Sequence, residues 1–297
     1  MPPLSSNLRG ILAMTLATGS FVTNDTFMKM VATDLPPLQT LFMRGVAATL
    51  WFIPILFLIG QAKQVGGAFD RWSLTRNGCE LLAVACFVVA LSKMPIADVT
   101  AMGQVAPLFV FIGVALIYRQ KIGVSRIVLI AAGFVGALMV AQPSGAGLSI
   151  YAILAISAAL WVALRDLAGR RVPSAIPSMV VAFGCIVTVM LGAGILTLTF
   201  ETWQTPLPHH YLLIAISGFF LIFGQFFVFL AYRVGEPTTI APFYYTFTIW
   251  AVLSGVLVFG DIPNLLAMGG MALILISGLI IVFMDGNRRA KAAEERA

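Results

Sequence analysis

The chain has 297 residues, of which 60% are hydrophobic and 10% charged, with a mean hydropathy of +0.99 and a formal net charge of +6. That composition excludes an ordinary soluble globular protein and reads as an integral membrane protein. The charge does not indicate nucleic acid, because the basic residues fall in short loops beside apolar segments rather than on one basic face, and Cys79, Cys86 and Cys185 lie inside those segments with neither a disulfide framework nor a metal spacing.

Ten apolar stretches of about the ~20 residues that cross a bilayer follow one another: 9–30, 38–59, 75–92, 96–118, 124–141, 149–168, 175–198, 211–232, 237–259 and 264–284. The first is too long for a signal peptide, contains Asn24, Asp25 and Lys29, and lacks a small-residue cleavage site, so it is expected to be span one. The longest connection, 61–74, leaves no soluble domain to carry a site, and function is expected within the helical bundle. With a cytoplasmic N-terminus, fifteen of the 18 Lys and Arg fall on the inner side, only Lys29 and Lys93 fall outside, and Arg44 lies within a span. Short cytoplasmic loops retain Lys and Arg. The asymmetry therefore predicts a multi-pass plasma (inner) membrane protein with both termini cytoplasmic.

The two halves match weakly but in register. Ile11-Leu12-Ala13 returns as Ile153-Leu154-Ala155, Gly113-Val114 as Gly255-Val256 and Gly136 as Gly278, and Lys93 after span three answers to Arg233 after span eight. Five spans per half is odd, so the second copy enters the membrane from the opposite side, the inverted repeat that many secondary transporters use to place a site near the midplane. The expected fold is all-α and polytopic, with ten transmembrane helices as two inverted five-helix repeats, 1–142 and 143–285, and a charged cytoplasmic tail, 286–297.

Gly19-Ser20-Phe21, Lys29, Pro36-Pro37 and Arg44 resemble the first two spans of an EamA-type repeat of the drug/metabolite transporter superfamily. Ala90-Leu91-Ser92-Lys93 followed by Ala106-Pro107-Leu108-Phe109 is similar to that family's passage from third to fourth span, and Ala159-Leu160-Trp161 to the opening of its second repeat. The resemblance implies a ten-helix exporter of small metabolites, with the YddG-like amino-acid exporters as the group it points to. Where the family often ends its fourth and ninth spans in Gly-Glu, this chain has Arg119-Gln120-Lys121 and Gly260-Asp261.

Ionisable groups inside a bilayer are costly and mark function. Asp25 and Arg44 both fall in the outer third by helical rise. They read as an ion pair bracing two helices, or as an extracellular gate or a carboxylate-binding Arg, while Lys29 reads as an interfacial anchor. Glu80 reads as a proton-coupling carboxylate or as the i, i+4 partner of Arg76. Asp98 sits near the outer end of span four and reads as solvated. Substrate-binding candidates are uncharged: Asn24, Thr100, Gln104, Ser157, Trp161, Gln225, Tyr244 and Thr246, drawn from spans one, four, six, eight and nine. Each alone is equally readable as a hydrogen bond between helices, but the set converges from both repeats on a cavity. Pro107 and Pro242 permit kinks. Small residues on span five (Ala132, Gly133, Gly136) and span ten (Gly269, Gly270, Ser277) read as close packing or a dimer seam.

These features favour a secondary transporter exporting neutral or zwitterionic metabolites, amino acids foremost, by alternating access. No P-loop, cofactor or metal site is expected, and the partners are a small-molecule substrate and the bilayer, with the protein a monomer or homodimer. An intramembrane lipid-modifying enzyme is the first alternative, disfavoured because His209 and His210 share an outer loop without a deep Asp or Cys. A passive metabolite channel is the other, disfavoured by the Trp and Tyr bulk along the path.

Overall fold

A bilayer core offers the backbone no hydrogen-bond partner, so apolar runs of this length form helices. The computed structural model of the chain describes residues 6–117, 124–142, 149–234 and 240–294. No strand occurs among them. The helices are α1 (Ser6–Val31), α2 (Pro37–Leu58), α3 (Arg71–Leu91), α4 (Ile96–Gly103), α5 (Ala106–Ile117), α6 (Val124–Ala141), α7 (Ile150–Gly169), α8 (Ser178–Phe200), α9 (Pro208–Val234), α10 (Thr246–Ser254) and α11 (Leu265–Glu294). Helices α2, α3, α7, α8 and α9 are each long and apolar enough to cross a membrane, and the apolar parts of α4–α5, α6, α10 and α11 are shorter. Exposed Phe57, Leu198 and Leu257 make the outside greasy, as a lipid-facing surface requires.

Eight spans form a closed ring. In order around it α1 packs on α9, α9 on α2, α2 on α8, α8 on α3, α3 on α7, α7 on α4 and α5, α4 on α10, and α10 on α1. Helices of the two halves alternate at every step, so neither half closes the ring alone. The same order also maps onto itself when α1 is exchanged with α7, α2 with α8, α3 with α9 and α4 with α10, the pseudo-two-fold of an inverted repeat.

The remaining spans, α6 and α11, pair outside the ring. Their glycines make this possible: a Cβ on Gly136 would lie 2.7 Å from the Gly270 carbonyl oxygen, and one on Gly270 would lie 2.5 Å from that of Gly136. The small-residue stripes expected as packing or a dimer seam are therefore consumed within the chain.

Two spans differ from the expected continuous helices. The fourth breaks between α4 and α5, where Val105 N–H bonds Met102 O and Leu108 N–H bonds Val105 O in tightened turns. Pro107 has no amide hydrogen to give the Gly103 carbonyl, so the α-helical ladder loses a bond at this point. The ninth opens as a 3-10 turn, Ala241–Tyr245, before α10, and ends in a π-turn, Gly255–Phe259.

The ring is tied at both ends. At the end holding His210, Pro36 gives α2 no capping side chain, and Glu201 from the close of α8 takes that role by accepting Leu38 N–H at 3.0 Å and Gln39 N–H at 2.9 Å. Gln39 and Gln204 bond reciprocally beside it. Removing an anionic cap costs about 1 kcal/mol. Glu201→Ala is therefore expected to destabilise the purified protein by about that amount in thermal unfolding, with Glu201→Asp losing less; an unchanged midpoint would show that the cap is dispensable.

His210, buried at 2% exposure, accepts Leu207 N–H on Nδ1 at 3.1 Å. Its other nitrogen, Nε2, thus carries the hydrogen it donates to Asp34 at 3.1 Å. That bond holds the Asp34 carboxyl below the usual carboxylate range. His209 lies beside the same carboxylate at 3.9 Å, but the arrangement is a clasp between the α1–α2 turn and α9: the neutral His210 ring has one lone pair, and Leu207 uses it.

Candidate functional site

Charged side chains approach the middle of the ring from both ends. Arg44 lies about 10 Å into α2 from the His210 end, and Glu80 about 13 Å into α3 from the Arg165 end, by the ~1.5 Å rise of a helix. Asp25 on α1 is 8% exposed and Arg44 6% exposed, so both have left water. The charged neighbours of Arg44 are Asp25 and Glu80.

Asp25 and Arg44, expected as a pair or a gate, do not form a close ion pair among the described residues. Asp25 is held by Asn24 Nδ2 at 2.8 Å, and Asn24 Oδ1 in turn accepts from Ser217 of α9 at 2.8 Å. Arg44 Nε is buried with no hydrogen-bond partner. A buried N–H without an acceptor is costly unless something bonds it. Asn24, a predicted binding residue, thus orients a carboxylate next to a cation with donors to spare.

Glu80 is paired, but with Arg165 of α7 at 2.7 Å rather than with Arg76. Arg76 donates to Asn77 Oδ1 at 3.0 Å. The Glu80–Arg165 bond joins the two halves toward the Arg165 end of the ring. Arg165 was legible only as a basic residue at a span terminus, and a lone deep carboxylate was the signal that a cation from another span must answer it.

At the opposite end Lys29 is more than an anchor. It donates to Met94 O at 2.7 Å, reaches Asp261 at 3.4 Å, and sits 4.8 Å over the Phe259 ring. It ties α1 to the end of the ninth span and the α3–α4 turn.

Among the uncharged candidates, Gln104 caps the broken end of α4 and Thr246 opens α10, and the two differ by the same 142 positions that separate the sequence repeats. Paired breaks in corresponding spans are a pointer to a binding site in inverted-repeat transporters. Thr246 Oγ1 meets Thr18 Oγ1 at 2.8 Å. The hydroxyls of Thr100 and Thr248 are buried without hydrogen-bond partners in the same two spans, and that of Tyr245 packs against Gly278 of α11, outside the ring. Ser157, Trp161 and Gln225 are half-buried on α7 and α9, and no hydrogen bond from their side chains to another occurs among the described residues. Tyr244 is 41% exposed and its ring lies 6.1 Å from that of Phe247. Tyr245 and Thr248 belong, with Tyr244, Thr246 and Trp250, to the polar run just past Pro242 that the sequence offers as pocket lining, whereas Ser217, a lone serine in an apolar helix, was missed.

A model of the EamA-like transporter family matches residues 8–142 and 149–283, one copy on each five-span half. The chain belongs to the EamA-like transporter family. Relatives of this EamA protein include a riboflavin transporter of Rhizobium johnstonii, 29% identical over 96% of this chain and 94% of the relative. A pseudopaline exporter of Pseudomonas aeruginosa is 26% identical over 90% and 94%, and an S-adenosylmethionine uptake transporter of Rickettsia prowazekii is 22% identical over 99% of both. A solved crystal structure superposes with a TM-score of 0.62 at 15% identity, covering 92% of this chain and 96% of the other, which shows the shared fold. The protein is thus a multi-pass membrane transporter of small metabolites and not an enzyme.

Proposed function

We propose that this EamA protein exports neutral or zwitterionic metabolites, α-amino acids foremost, across the plasma (inner) membrane by alternating access, with both termini in the cytoplasm. The supporting observation is the unpartnered Arg44 Nε beside Asp25. A carboxylate on Arg44 and an ammonium group on Asp25 would satisfy both charges at once, and a free amino acid carries both on one carbon. A polyanion would leave Asp25 opposed, and an apolar molecule would offer neither group a bond. The half-buried Trp161 and the aromatic Tyr244 suit the cargo side chain.

The Glu80–Arg165 bond then serves as a closure at the Arg165 end, and the Lys29–Asp261 contact as one at the His210 end. Alternating access requires that they open in turn. The Lys and Arg asymmetry of the loops supports the orientation.

The test is counterflow in liposomes holding the purified protein, with a panel of amino acids and with or without a proton gradient. Saturable exchange of neutral amino acids is the expected result. Exchange that never saturates would favour a passive channel, and exchange confined to riboflavin-like or nucleoside compounds would overturn the amino-acid reading.

A further inference from the structure

Helix α8 carries Gly184, Thr188 and Gly192 four residues apart on one face. The 3-10 helix Ala62–Phe69 that joins α2 to α3 presses Ala68 against Gly184, where a Cβ would lie 2.5 Å from that of Ala68, and Leu81 of α3 presses against Gly192, at 2.1 Å from its Cδ2. Between these two contacts the surfaces stand apart and leave a groove of about 290 Å³, lined by Val65, Phe69, Leu74, Leu81, Thr188 and Leu191 among others. Its one floor hydroxyl is already satisfied, since Thr188 Oγ1 donates to the Gly184 carbonyl at 2.7 Å. The groove therefore asks for hydrocarbon, and at the ~30 Å³ a water takes in the liquid it holds roughly ten methylene-sized groups.

The rim has the opposite character. Lys63 is exposed two residues before Val65, and Arg71 is exposed two residues after Phe69. The acidic residue between them, Asp70, is occupied as the cap of α3, accepting from Trp72 N–H at 2.9 Å and Ser73 N–H at 3.4 Å. No ion pair engages Lys63 or Arg71 among the described residues; Arg71 lies 5.6 Å over the Trp72 ring, and with Asp70 still anionic the connector carries two basic groups against one acidic one beside the apolar slot.

We propose that this groove is a binding site for an anionic phospholipid, one acyl chain lying along α8 and the headgroup phosphate on Lys63 and Arg71. Such a lipid holds the 3-10 connector down on α8 and so braces the α3–α8 step of the ring. It lies outside the Arg44 site and does not depend on the cargo assigned there.

The test is native mass spectrometry of delipidated protein titrated with dioleoyl phosphatidylglycerol or dioleoyl phosphatidylcholine. The expected result is one bound phosphatidylglycerol, favoured on the order of ten-fold over phosphatidylcholine, the preference that two surface basic residues supply. Thr188→Trp, which fills the groove, is expected to abolish that adduct for both lipids. The exposed double variant Lys63→Gln/Arg71→Gln is expected to keep a weak adduct with no headgroup preference, and its surface positions keep it folded. Equal binding of the two lipids to the unaltered protein would overturn the proposal. So would a phosphatidylglycerol preference that survives the double variant, or displacement of the adduct by an amino-acid mixture, which would make the groove part of the cargo path.

Discussion

Replacing Arg44 by Gln is expected to lower exchange of a neutral amino acid by about 100-fold in liposomes while leaving the protein folded. Truncating one member of a buried charge pair costs about 2–5 kcal/mol, and here the pair forms between Arg44 and the cargo carboxylate. Arg44 Nε has no hydrogen-bond partner and Arg44 forms no close ion pair among the described residues, so removing the guanidinium takes away a desolvated charge rather than a bond. The thermal midpoint is therefore expected to stay level or rise, as when an active-site charge is removed at the expense of activity. Arg44→Lys keeps the charge without the planar fork and should fall between the two. A drop in midpoint with transport falling only in proportion to the protein recovered would make Arg44 a brace between helices.

Glu80 and Arg165 should behave in the opposite way. Their 2.7 Å bond joins α3 and α7 with side chains only 17% and 23% exposed. Removing Arg165 leaves Glu80 partly buried without a bonded partner, at about 3 kcal/mol, whereas removing Glu80 leaves Arg165 its 2.8 Å contact with Asp166 and costs less. Arg165→Gln is expected to lower thermal stability markedly, Glu80→Gln to lower it less because Asp166 still answers Arg165, and the double variant to recover much of the Arg165→Gln loss. A double-mutant cycle on chemical or thermal unfolding measures the coupling directly. Simple additivity would mean that the bond contributes nothing to holding the halves together, and would return Glu80 to the role of a proton-coupling carboxylate.

The fold was legible because the bilayer imposes one rule on the whole chain. Apolar length marks the spans, and the returns of Ile11-Leu12-Ala13 and Gly113-Val114 mark the repeat. The alternation of halves around the ring was not legible, because which helices touch depends on side-chain fit that a periodic apolar pattern does not encode. Span four looked continuous because Pro is tolerated in membrane helices, and only neighbouring contacts decide between a kink and the break seen after Gly103.

The site was legible in part for a related reason. Deep charges such as Asp25, Arg44 and Glu80 stand out against an apolar background, but their partners are chosen in space. Sequence spacing offered Arg76 to Glu80 and Asp25 to Arg44; the structure gives Arg165 to Glu80, gives Asn24 to Asp25, and leaves Arg44 Nε open. The clasp of Asp34 and His210 was hidden for the same reason, since the two lie 176 positions apart.

The most direct measurement is a comparison of three ligands by titration calorimetry on the purified protein: leucine, leucinamide, which lacks the carboxylate, and 4-methylpentanoate, which lacks the amine. A site that pairs Arg44 with carboxylate and Asp25 with ammonium leaves a buried charge unmet in each analogue, so leucine is expected to bind at least about 100-fold more tightly than either. Arg44→Gln should erase the preference over leucinamide alone, and Asp25→Asn the preference over 4-methylpentanoate alone. Equal affinity for all three ligands, unchanged by either substitution, would contradict the assignment of Arg44 and Asp25 as the cargo site.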